Sequence, residues 1–234
     1  MPLDCSARST IAVYCGSSTG QHRAFSAAAH SLGVALSAAD RSLVYGGGSK
    51  GIMGIVSGSV LRNGGKVVGV LPRAMVAEGG EGEKVGNANV HLNEVGREKV
   101  ETILVDSMHE RKVEMAKRAD GFVGLPGGFG TFEEVLEVTT WSQLGIHDKP
   151  VILLNVLSFW DPLRTLIKNS IDAGFIKPAS ERLIIFIDGP PRLEDHELFD
   201  WGNAAIEALD NWKRGQTKPL FEWPNRMDAS YNRT

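Results

Sequence analysis

GFVGLPGGFGTFEEVLEVTTWSQL, residues 121–144, carries the unit from which the whole chain is built. GFVGLP is a short apolar run and reads as a strand. Three glycines follow, and TFEEVLEVTTWSQL then has helical periodicity. The same strand, glycine loop and helix recur on either side. TIAVYC (Thr10 to Cys15) is a strand that runs into CGSS, and an Ala-rich amphipathic helix spans about Arg23 to Ala39. SLVYGGG is the second strand, with a helix from about Ile52 to Arg62, and KVVGVLP (Lys66 to Pro72) is the third. ETILV (Glu101 to Val105) is a short strand. Asp106 is placed to cap a helix that ends near Arg118, with Lys and Arg gathered at its C-terminal end, as the helix dipole favours. KPVILLN, LRTLIKNSIDAG and RLIIFID continue as strand, helix and strand, and LEDHELFDWGNAAIEALDNW reads as the last helix.

The strands are continuously apolar rather than alternating, so both faces are buried, as in parallel sheets. Alternation with helices then predicts an α/β fold: a doubly wound, mostly parallel sheet flanked by helices and joined by right-handed crossovers. The expected layout is an N-terminal extension over residues 1–9, a single domain over residues 10–213 and a C-terminal tail over residues 214–234. Phe221 and Trp223 suggest that part of the tail packs. Glu78 to Asn93 is Gly-rich and polar and reads as a mobile surface loop.

Composition narrows the function classes. Across 234 residues, 42% hydrophobic and 23% charged content suits a globular protein with a full core. A net charge of -3 gives no general attraction to nucleic acid or anionic membrane. The longest apolar run, VILLNVLSFW, is about half the ~20 residues needed to span a membrane. The N-terminus lacks the pattern of a signal peptide. Cys5 and Cys15 do not make a disulfide scaffold, so a reducing, cytoplasmic setting is expected, with Cys15 a small buried side chain. In that setting the sequon Asn232-Arg233-Thr234 is accidental. His22, His30, His91, His147 and His196 show no metal-ligand spacing, and neither metal nor cofactor is expected.

In a doubly wound sheet, ligands sit beyond the carboxyl ends of the strands. Three loops there are rich in glycine or serine: CGSS (with Gly16 and Ser17), GGGSKGIMG (with Gly47 and Gly48) and PGGFGT (with Gly127, Gly128, Gly130 and Thr131). Glycine lets backbone N–H groups approach a ligand, and a helix N-terminus behind the loop favours an anion. Three such loops point to a phosphate-bearing ligand. Gly46, Gly48 and Gly51 satisfy G-x-G-x-x-G, but the next strand ends Val70-Leu71-Pro72-Arg73, without the acid that a dinucleotide ribose requires. A Walker loop fails too, because Lys66 is followed by Val67.

Two clusters add chemistry. Thr131 is a natural N-cap with Glu134 at capping-box spacing, so Glu134 reads equally as a cap or as an acid one sugar away from a bound phosphate. Glu133 suits the same first turn. In DSMHERKVEMAKR, Met108, Arg111 and Met115 share a helix face. Arg111 is then either a salt-bridged surface residue or a cation that meets a nucleotide, with the methionines against its base. His109 reads as a surface or capping residue.

VYCGSS, VYGGGSKGIMG, SMHERKVEM, LPGGFGTFEE and TTWSQLGIHDKPVILLN together closely resemble the LONELY GUY family, over about Ile11 to Ile187. The resemblance implies a Rossmann-like fold and a homodimer with active sites near its interface. It also implies hydrolysis of the N-glycosidic bond of cytokinin nucleoside 5'-monophosphates, with AMP as a further candidate. On this resemblance Arg111 and Glu134 are catalytic, Gly127, Gly128, Gly130 and Thr131 hold phosphate, and Lys112 and Thr139 contact substrate. A family acid between Val70 and Met108 falls on either Glu78 or Glu94. Two rivals stand beside this reading: a nucleotide or cofactor carrier without turnover, and a decarboxylase. The latter requires an electron sink such as pyridoxal phosphate on a lysine, and no lysine here stands in such a setting.

Overall fold

The computed structural model describes residues 9–76, 98–213, 215, 220, 221 and 223. Seven strands form one sheet: β1 (Thr10–Tyr14), β2 (Ser42–Tyr45), β3 (Val67–Pro72), β4 (Val100–Val105), β5 (Gly121–Gly124), β6 (Val151–Asn155) and β7 (Ile185–Asp188). Their order is β4-β3-β2-β1-β5-β6-β7, and every pairing is parallel. Winding runs outward from β1 in one direction and outward from β5 in the other. The crevice between β1 and β5 is therefore the topological switch point, where open α/β sheets bind ligands.

Among the described residues, six helices cover the faces: α1 (Arg23–Ala38), α2 (Gly51–Arg62), α3 (Met108–Arg118), α4 (Phe129–Leu144), α5 (Asp161–Asp172) and α6 (Trp201–Asp210). One apolar cluster joins α1, α2 and α6 to the sheet, with Leu32, Leu36, Val56 and Trp201 at its centre. The other joins α3, α4 and α5 through Met115, Val135, Phe122 and Trp160. β1 is buried along Ile11, Ala12, Val13 and Tyr14, so the apolar strand reads as it packs, with a helical layer on each side.

Three boundaries differ from the sequence reading. Asp106 does not cap α3. Ser107 does, its hydroxyl accepting from Glu110 N–H at 3.0 Å, while Glu110 accepts from the N–H of Asp106 at 2.8 Å. Thr131 is not the cap of α4, which begins at Phe129 behind Gly128. The last helix is shorter than expected: Leu193–Glu197 is a separate 3-10 turn, and Asp200 caps α6 by accepting from Asn203 N–H at 3.1 Å. The expected loop from Glu78 to Asn93, and Glu78 and Glu94 as candidate acids, lie outside the described residues. In the tail, the N–H of Leu220 donates to Gln143 O at 3.2 Å and Trp223 Nε1 donates to Leu144 O at 2.9 Å, so these residues lie against the end of α4.

Candidate active site

The three glycine loops meet at the switch point. Gly16 N–H donates to Pro126 O at 3.1 Å, which ties the β1 loop to the β5 loop. Met53 N–H donates to Gly16 O at 3.3 Å and Ile52 N–H to Ser18 O at 3.4 Å, which ties in the N-terminus of α2. Such close backbone approach is why glycine stands here. Gly51 has φ +62°, and a Cβ on it would run into the Ser17 carbonyl. A Cβ on Gly127 would overlap the Thr131 hydroxyl and come within 2.8 Å of Gly16 N. Between the loops lies a cleft of about 210 Å³, lined by Gly16, Ser18, Pro126, Gly127 and Gly128 with Phe25 and Phe159 at its wall. Gly128 and Gly130 are exposed, and no side chain among the described residues caps α4. The first-turn N–H groups of a helix have no intrahelical partner, so this end of α4 offers donors and a positive dipole to an anion.

Glu134 and Arg111 face each other from different helices, and neither is among the residues that line this cleft. Because α4 starts at Phe129, Glu134 falls in its second turn rather than at its cap. There it is buried at 8% exposure, and the capping reading is set aside. Arg111 Nη1 lies 3.6 Å from Glu134 Oε1. Its Nε donates to Val70 O at 3.2 Å, at the carboxyl end of β3, and Met108 Sδ lies 3.8 Å from Nη1. Met115, the other methionine of the stripe, is fully buried in the core, whereas Met108 is 43% exposed at the start of α3. Burial pushes the Glu134 carboxyl up to about 7; Arg111 pulls against that shift and Glu133 adds to it. Burial, with Glu134 nearby, also holds the Cys15 thiol neutral.

Lys112 turns away from Arg111's partner. Its ammonium contacts Glu133 and lies 3.0 Å from Glu137 Oε1, so it fastens α3 to α4. Burial alone would lower its pKa, but the hydrogen bonds to Glu133 and Glu137 outweigh that effect and raise it. An ammonium held charged in this way is the opposite of the neutral amine that forms a Schiff base with a carbonyl cofactor. Gly47 and Gly48 are buried in the β2 loop beside Arg111's strand ends, and Ser17 is exposed in the β1 loop. Thr139 lies apart: its hydroxyl donates to Val135 O at 2.7 Å, and it lines a separate cavity of about 130 Å³ with Leu136, Gln143 and Ile167. His109 is exposed, in keeping with its reading as a surface residue.

The sequence reading missed Glu137 and the carbonyl of Val70. Glu137 had a legible signal, since Glu133, Glu134 and Glu137 are a carboxylate cluster on α4 facing an adjacent Arg-Lys pair on α3. The carbonyl of Val70 had none, because any residue supplies one. Among the described residues, no group of three or more His, Cys, Asp or Glu is placed to hold a metal ion, and no helix is long and apolar enough to cross a membrane.

Comparison with known proteins shows the family. A family model described as "Possible lysine decarboxylase" matches residues 53–196. A cytokinin riboside 5'-monophosphate phosphoribohydrolase of Arabidopsis thaliana is 44% identical over 221 residues, 94% of this chain and 92% of the relative. A second Arabidopsis protein of the same name is 46% identical over 206 residues, 87% of this chain and 83% of the relative. Among solved structures, the molybdenum cofactor binding protein of Rippkaea orientalis superposes with a TM-score of 0.56 at 17% identity, covering 88% of this chain and 97% of its own. The Moco carrier protein of Chlamydomonas reinhardtii gives 0.55 at 20% identity, covering 87% and 96%. At such identities these two show a shared Rossmann-like fold. The chain belongs to the LONELY GUY family, the group of cytokinin riboside 5'-monophosphate phosphoribohydrolases that the family model describes under its older decarboxylase label.

Proposed function

We propose that this protein hydrolyses the N-glycosidic bond of cytokinin riboside 5'-monophosphates, giving the free N6-substituted adenine and ribose 5-phosphate. The observation that carries the reading is the buried Arg111–Glu134 pair, 3.6 Å apart, with Glu134 on the same helix whose N-terminus follows the glycine loop Gly127-Gly128. The 5'-phosphate sits on the N–H groups of Gly127, Gly128 and Gly130 with the Thr131 hydroxyl, while Gly16 and Ser17, and Gly47 and Gly48, wall the other sides. The ribose then reaches toward Glu134. Cleavage of the C1'–N9 bond builds positive charge on the sugar ring, and the electron pair of the bond leaves with the base. The Glu134 carboxylate stabilises that charge and takes a proton from the attacking water as its oxygen bonds to C1', and the departing base takes up a proton from solvent at its ring nitrogen. Arg111 holds the nucleotide and balances charge as the base departs, with Met108 beside the base. Lys112 and Glu133 serve the site through their contact with each other.

The active form is a homodimer. Phe129, Phe132 and Leu136 form an exposed apolar stripe on α4, with Phe129 91% exposed, and such a stripe suits a second copy. Thr139, on the same helix, would reach substrate across that interface. The buried free thiol of Cys15 suits a reducing, cytoplasmic compartment.

The test is release of free base from isopentenyladenosine 5'-monophosphate, AMP and the unphosphorylated riboside, with Arg111→Ala and Glu134→Ala beside the wild type. Base released from the monophosphates alone and lost in both variants supports the reading. Wild-type protein that binds the nucleotides and releases nothing sinks it in favour of a carrier.

A further inference from the structure

The guanidinium of Arg111 occupies the space where a side chain would stand at Gly46. A Cβ built on Gly46 would overlap Arg111 Nη2 outright and stand 3.0 Å from Cζ, with Met53 Sδ next at 3.5 Å. Gly46 does not have a left-handed φ, so its backbone accepts any residue. Glycine is thus required here for room and not for conformation. We infer that Gly46 is a positioning residue: its bare Cα is the seat that lets the Arg111 guanidinium lie flat across the carboxyl ends of β2 and β3, facing Glu134.

The rest of the guanidinium's surroundings explains why this seat matters. Nε is anchored on Val70 O at 3.2 Å, and Nη1 is directed to Glu134 at 3.6 Å with Met108 Sδ beside it. Those contacts hold two nitrogens of a planar group, and the third, Nη2, falls where a Gly46 side chain would begin as β2 leaves the sheet. Gly46 is the first residue past Tyr45, the end of that strand. Any Cβ there lifts the plane, and with it both the Val70 anchor and the Glu134 pairing. The obstacle that a Cβ meets is the far end of a flexible side chain rather than backbone. The fold therefore tolerates the substitution, and the displacement falls on Arg111. A preorganised charge displaced by an ångström loses most of its value to a reaction.

The inference rests on the phosphoribohydrolase reading for its activity readout and on binding for an independent one. The experiment compares wild type, Gly46→Ala, Arg111→Ala and the double variant. It measures base release from AMP and isopentenyladenosine 5'-monophosphate, calorimetric affinity for AMP, and melting temperature. Gly46→Ala is expected to melt within about 2 °C of the wild type. Its turnover is expected to fall about 100-fold, the scale of removing one preorganised charge. Its AMP affinity should drop to that of Arg111→Ala, and the double variant should bind no worse than Arg111→Ala alone, the non-additivity of residues acting through one group. A Gly46→Ala protein with wild-type turnover and affinity overturns the inference. So does a double variant that binds AMP more weakly than Arg111→Ala, since the added methyl would then act on the ligand directly. Wild type that binds AMP without releasing base overturns the phosphoribohydrolase reading, while the affinity comparison still decides the role of Gly46.

Discussion

Arg111 and Glu134 face each other at 3.6 Å from two helices on one side of the sheet, both side chains about one-tenth exposed. Neither helix supplies both charges, so the pair exists only when α3 and α4 are packed together. Truncation of either partner leaves the other buried without its counter-charge. Glu134→Gln, which keeps size and burial, is expected to lower kcat by about 100-fold or more while KM changes little, because the carboxylate's charge acts mainly in the transition state. Arg111→Ala should lower kcat and raise KM together. Steady-state kinetics on AMP separates the two patterns, and a Glu134→Gln enzyme that loses only affinity would contradict the assigned role.

The rate should also titrate. Glu134 acts as the carboxylate, and burial holds its pKa at about 7. Activity is therefore expected to rise with pH to a plateau, with an apparent midpoint near 7. Its neighbours pull that midpoint in opposite directions. Glu133 raises the Glu134 pKa by charge repulsion, so Glu133→Gln should move the midpoint down. Lys112 lowers it, so Lys112→Met should move it up. The group is also faced by Tyr14 at the end of β1 and Cys15 just beyond it, both held neutral by burial, and by Glu137 from its own helix. A profile of kcat/KM between pH 5 and 9 for the three proteins checks this, and unchanged midpoints in both variants would count against it.

These charges show what was legible in the chain and what was not. The succession of strands and helices follows from short apolar runs that alternate with helical patterns, and the three ligand loops from the glycines that follow TIAVYC, SLVY and GFVGLP; each of those runs became a strand of the sheet. Arg111 and Glu134 were legible as a pair through motif resemblance. Spacing alone left Glu134 divided between cap and acid. The choice turned on where α4 begins, and it begins at Phe129, two residues before Thr131, behind an extended Gly128 with no capping side chain to announce the start. The last helix was overdrawn for a related reason. LEDHELFDWGNAAIEALDNW is uniformly helix-like in composition, and the break at Asp200 is made by a capping hydrogen bond and by Trp201 turning into the core. Gly46 and Val70 act through an absent side chain and a backbone oxygen, and neither leaves a mark in residue identity.

At the phosphate end, Thr131 is 3% exposed, with its hydroxyl placed where a Gly127 side chain would be. Thr131→Val removes the hydroxyl at nearly constant volume. A hydrogen bond to a charged group is worth about 1.5–3 kcal/mol, so KM for the monophosphates should rise roughly 10- to 100-fold. The chemistry at C1' lies a ribose away, and kcat should fall less. Binding of the unphosphorylated riboside should not change, since that ligand lacks the group the hydroxyl meets. Calorimetry with AMP and adenosine distinguishes this from general damage to the site, which would weaken both.

Stability should depend on pH through two buried groups with opposite signs. Glu134 is raised from the ordinary 4.5 to about 7, so the folded state holds its proton more tightly than the unfolded chain does. That stabilisation is complete below pH 4.5 and is lost as pH rises through 7. His147 is 2% exposed with its ring 5.1 Å from Phe122, and burial, with Lys149 beside it, lowers its pKa from 6.5 to about 3. Its contribution is complete above pH 6.5 and is lost as pH falls toward 3. Between about pH 4.5 and 6.5 the two slopes oppose each other, each at most about 1.4 kcal/mol per pH unit for one proton, and the wild type should be nearly flat. Substitution unmasks each slope. Glu134→Gln should become steadily more stable as pH rises across that window, ending above the wild type at pH 8. His147→Phe should instead lose stability with rising pH. Urea unfolding of the three proteins at pH 5, 6, 7 and 8 measures the slopes, and parallel profiles would show that neither group is buried in the ionisation state described.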